Sequence, residues 1–208
     1  MQQNDNTVEM AGPVRATALQ PGENPLPLPP PIRIARLADM YYISVSAPQL
    51  TNTSAAVKQL SLFLDDKLED ETVVLTIDPG CFEQIRWSDY MTFMGVIQDT
   101  KCKVVVRCDK MDFGSFSYFY LLGDQLEFYQ TGALFFPPLY SNNKAALSDY
   151  ELAGVSYMET LLRKAVERGI LSEDQFNQID QGGYSTLDYG VMLERKRAGL
   201  GDTVILQE

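Results

Sequence analysis

An α/β fold, a parallel sheet flanked by helices, is what this sequence predicts, and three observations carry the prediction. Two short runs with apolar, β-branched centres, residues 71–77 and 103–107, read as buried strands. They alternate with stretches of helical spacing in the order strand, helix, strand, helix, strand, which calls for right-handed crossovers between parallel strands. The final third twice shows a capping-box pattern, Ser148-Asp-Tyr-Glu151 and Ser172-Glu-Asp-Gln175, and so opens two more helices.

Residues 1–32 stand apart from the rest. The run Pro25-Leu-Pro-Leu-Pro-Pro-Pro31 favours extended polyproline II and cannot join a helix or a central strand. It reads as an arm, either docked on a neighbouring subunit or a mobile tail, ahead of one domain over 33–208. Met40-Tyr-Tyr-Ile-Ser-Val-Ser46 alternates as a strand does. Thr51, Asn52 and Thr53 then offer N-caps to an amphipathic helix that carries Ala56, Leu60, Phe63 and Leu64 and ends near Glu69. The strand over 71–77 runs into the sharp turn Asp78-Pro-Gly-Cys81. Helical spacing returns over 83–99 through Ile85, Tyr90, Phe93, Met94 and Ile97, ahead of the strand at 103–107.

Gly114-Ser115 and the small-and-aromatic stretch to Leu122 read as a tight turn into a buried helix. Two short strands come next at 126–129 and 133–136, the second stopped by Pro137-Pro138. The helix from Ser148 presents Leu152, Val155, Met158, Leu162 and Ala165 on one face, and Gly169 ends it. The next is a short helix through Phe176 and Ile179, broken near Gly182-Gly183. A helix from about Thr186 to Arg197 and a strand over 203–206 complete the expected order.

Composition narrows the chemistry. The chain has 208 residues, enough for one sizeable core, and a formal net charge of −11, which argues against a nucleic-acid-binding surface. It contains no histidine. That removes every Ser-His-Asp or Cys-His triad and every histidine-ligated metal, and neither metal nor cofactor is expected. The three cysteines, Cys81, Cys102 and Cys108, are too few for a disulfide framework and fit a reducing, cytoplasmic setting. No secretory leader pattern and no apolar run of bilayer length is present, so neither export nor membrane association is expected.

Sites on open α/β sheets form beyond the carboxyl ends of the strands. Two such ends are marked here, by Asp78-Pro-Gly-Cys81 and by Phe113-Gly-Ser-Phe116. Ser115 stands where a helix begins, near the positive end of its dipole and its free N–H groups. That place suits a nucleophile, and equally an N-cap serine.

The pairing of these two motifs resembles the Clp protease proteolytic subunit and the signal-peptide-peptidase-like serine peptidases, within the wider ClpP/crotonase-like superfamily. The order of elements from Leu162 through Ala198-Gly-Leu-Gly-Asp202 extends the resemblance over about residues 33 to 207. It implies a ClpP/crotonase-like sheet, Ser115 as the nucleophile position, and an oxyanion hole of backbone N–H groups at Gly80 or Cys81 and at Phe116. It also implies a histidine near Phe136, which cannot accept a proton, and an aspartate position near Asp180. In the signal-peptide-peptidase branch a lysine serves as base. Lys144 falls in that region here, where it is either such a base or a solvated loop lysine.

The bulk of Cys81 and Phe116, with Phe113, Tyr118, Phe119 and Tyr120 around Ser115, suggests a cleft filled with core. Two functions are open. One is a non-catalytic pseudoenzyme, an oligomeric assembly or interaction protein with other protein subunits as partners; the phage occurrence of such peptidases suggests a virion or host-cytoplasm setting. The other is an active peptidase using a Ser115–Lys144 dyad. An acyl-thioester enzyme of the crotonase type fits less well, for want of a basic cluster to hold a CoA moiety.

Overall fold

The structure is a computed structural model. It describes residues 32–37, 40–45, 53–67, 69–77, 87–140, 147–199 and 203–208, with only the backbone of Ile32, of 53–57, of Phe113 and of Ser115. The expected arm, apart from Ile32, lies outside the described residues.

A six-stranded sheet forms the centre. Its strands are β1 (Ile32–Leu37), β2 (Met40–Val45), β3 (Thr72–Ile77), β4 (Lys103–Cys108), β6 (Gln125–Tyr129) and β9 (Val204–Gln207), in the spatial order β1-β2-β3-β4-β6-β9. Only the β1–β2 pairing is antiparallel; every other neighbour is parallel. Register places Ile43, Leu75, Val106, Leu126 and Val204 in one row across five strands, and all five are essentially fully buried. Ile43, Val106 and Val204 of this row are β-branched, and such side chains pack well on a pleated surface.

A second, three-stranded sheet stands beside the first. It joins β5 (Met111–Phe113), β7 (Ala133–Phe136) and β8 (Ser185–Asp188), with β7 in the middle. Helix α1 (Thr53–Asp65) buries Leu60 and Leu64, and α2 (Trp87–Asp99) buries Tyr90, Phe93, Met94 and Ile97 at helical spacing. Helix α3 (Asp149–Glu167) begins at Ser148 with both halves of its capping box formed, and Gly169, at φ 73°, turns the chain out of it. Helix α4 (Glu173–Asp180) begins at Ser172 in the same way. Helix α5 (Tyr189–Arg197) is capped by Asp188, whose carboxylate accepts the Val191 N–H at 2.9 Å.

Four expectations are corrected. Strand β1 was not foreseen. Neither was β5, a three-residue strand. The helix expected from Thr186 begins at Tyr189, because 185–188 pairs with β7 as β8 before Asp188 caps the turn. Helix α1 ends at Asp65, four residues before Glu69.

Candidate functional site

The chain leaves the carboxyl end of β4 at Cys108, makes β5, and turns sharply at Gly114, whose φ of 100° is accessible to glycine without strain. It then enters a 3-10 helix, Ser115–Leu121, rather than the α-helix expected. Gly114 is its N-cap and offers no side-chain bond; the Ser117 N–H donates to the Gly114 carbonyl at 3.0 Å. Ser115 is therefore the first helical residue, not the cap. Four aromatic residues in a stretch of seven favour tertiary packing over an α-helical ladder, and the segment is long for a 3-10 helix.

Those rings pack into one buried cluster. Phe116 is 7 % exposed and stacks on Phe119 at 5.0 Å. Phe119 lies 5.0 Å from Phe93 of α2, and Phe116 touches Tyr90 and Tyr120 at ring distances of 6.0 and 6.2 Å. Phe136, at the expected histidine position, is wholly buried and meets Tyr118 edge-on at 5.6 Å. The structure thus brings Phe116 and Phe136 into one aromatic core around the 3-10 helix. Gly80, Cys81 and Lys144 lie outside the described residues, as does the side chain of Ser115. Asp180 is the last residue of α4, and its carbonyl accepts the Tyr140 hydroxyl at 2.9 Å.

Sequence reasoning missed a buried polar group within this core. Asp112 is 1 % exposed, its carbonyl accepts the Ser117 hydroxyl at 3.3 Å, and its carboxyl bonds the Tyr120 hydroxyl. Burial, then the nearby Asp112 carboxyl, drives the Tyr120 phenol and the Cys108 thiol far above their ordinary ranges; burial alone does so for Tyr118. These groups are held neutral, so neither a thiolate nor a phenolate is ready to act at neutral pH. Alternation of Asp112 with Met111 and Phe113 was the one sequence signal, and three residues are too few to carry it.

Open space lies next door. A cavity of about 690 Å3 is bounded by Trp87 at the start of α2, Pro137, Pro138, Leu139 and Tyr140 after β7, the first turns of α3, and Tyr184. The Tyr118 hydroxyl donates to the Pro137 carbonyl and so ties this wall to the aromatic core. Gly154 of α3 lies flat against the Trp87 indole; a Cβ there would come within 2.7 Å of the ring. Among the described lining residues the only carboxylate is Glu151, and there is no Lys or Arg. Ser148 donates to Glu151 from its hydroxyl and its backbone N–H, which holds that carboxyl below its usual range. The described lining residues offer mainly rings and aliphatic surface.

No family model and no curated protein matches the sequence. Solved structures do. An enoyl-CoA hydratase from Bacillus anthracis superposes with a TM-score of 0.52 at 14 % identity, over 85 % of this chain and 70 % of its own. An enoyl-CoA hydratase/isomerase (crotonase) from Legionella pneumophila gives 0.54 at 9 % identity, over 85 % and 70 %. The fold is crotonase-like. An enoyl-CoA hydratase from Mycobacterium marinum agrees, with 0.53 at 12 % identity over 85 % of this chain and 84 % of that one. At such identities the likeness is one of crotonase-like architecture, a mostly parallel sheet with flanking helices.

Proposed function

We propose that this chain is a non-catalytic assembly or interaction protein on a crotonase-like scaffold, working as a homo-oligomer. The observation that carries the reading is the packing of Phe116. The start of the helix beyond β4 would have to stay open for an acyl group to reach backbone N–H donors, and the burial of Phe116 in its stack on Phe119, one residue into that helix, supports a closed site. Absence of histidine from the whole sequence supports the same reading, as does the neutral state imposed on Cys108, Tyr118 and Tyr120. The similar solved structures are of enoyl-CoA enzymes, but the described residues of this cleft include no cation to meet the phosphates of a CoA ligand. A phage particle or its host's cytoplasm is the setting the family resemblance suggests, and it belongs to the reading by analogy alone.

Three measurements on the purified chain test it. Light scattering is expected to give a mass that is a multiple of the single chain. A fluorophosphonate probe is expected to leave Ser115 unlabelled, and an enoyl-CoA substrate to remain unhydrated. Labelling that is lost in Ser115→Ala and reduced in Lys144→Ala would instead establish a serine–lysine peptidase, and hydration of the thioester would establish a crotonase-type enzyme.

A further inference from the structure

We draw no further inference here: the strongest candidate, the aromatic cleft between the start of α2, the segment after β7 and the first turns of α3, carries nothing because the segments that flank it lie outside the described residues and nothing in the structure shows what covers it.

Discussion

Two aromatic regions lie side by side and behave oppositely. Around the 3-10 helix, Phe116, Tyr118, Phe119 and Tyr120 are buried against Phe93, Tyr90 and Phe136. In the neighbouring cleft, Tyr150 and Tyr184 are 59 % and 69 % exposed and Trp87 is half-buried. The residue types are the same. The difference lies in what surrounds them: the first set is enclosed by two sheets and α2, while the second lines a gap between loops and the start of α3. Aromatic content alone therefore does not mark a binding surface; whether neighbours saturate the rings decides it.

Alkali should break the sealed region most completely. Tyr90, Tyr118 and Tyr120 have phenols raised by burial, so their contribution to stability is whole below the ordinary tyrosine value of about 10 and is lost as pH rises through the raised values. Absorbance at 295 nm is expected to show a late tyrosine step that coincides with loss of circular dichroism; a step that precedes unfolding would contradict the sealing. Next in size, Phe119→Ala removes a fully buried ring that stacks on Phe116 and tilts against Phe93, and is expected to cost about 3–5 kcal/mol in urea unfolding.

At the boundary between the regions, Gly154→Ala would press a methyl onto Trp87. About 1–3 kcal/mol is expected, together with an emission shift that the single tryptophan reports. Tyr118→Phe cuts the tie to the Pro137 carbonyl and should cost about 1 kcal/mol by the same urea measurement. In the open region, Tyr184→Ala is expected to stay within about 0.5 kcal/mol of the parent in thermal unfolding. A large loss there would mean the cleft is structural after all.

The parts of the fold that were legible in sequence are those whose signals are local. Ser148 with Glu151 and Ser172 with Gln175 announce α3 and α4 because a capping box satisfies backbone donors within four residues. The valine run of β4 announces a buried strand for the same reason of locality. The sequence over 185–188 carries no strand signal of its own, because what makes it a strand is β7, some fifty residues earlier in the chain. β1 comes directly after a proline run and mixes arginine with isoleucine, so its pattern is that of an uncovered edge rather than a buried strand.

At the candidate site, the aromatic packing of Phe116, Tyr118, Phe119 and Tyr120 was readable from the sequence. The 3-10 geometry, the buried Asp112 and the cleft behind Trp87 were not. Each depends on which distant elements meet, as when Gly154 of α3 receives the first residue of α2.

The pairing of β9 with β6 bears on how this molecule comes to be assembled in time. Leu126 donates to the Thr203 carbonyl at 2.8 Å, and the Gln207 amide reaches Glu127, eighty residues back, at 2.7 Å. Until residues 203–207 have left the ribosome, β6 presents a bare flank. Closing that flank joins segments far apart in sequence, the kind of contact that makes folding slow. A nascent chain that ends just short of residue 203 would leave the β6 edge without β9 and would be the form most in need of a chaperone.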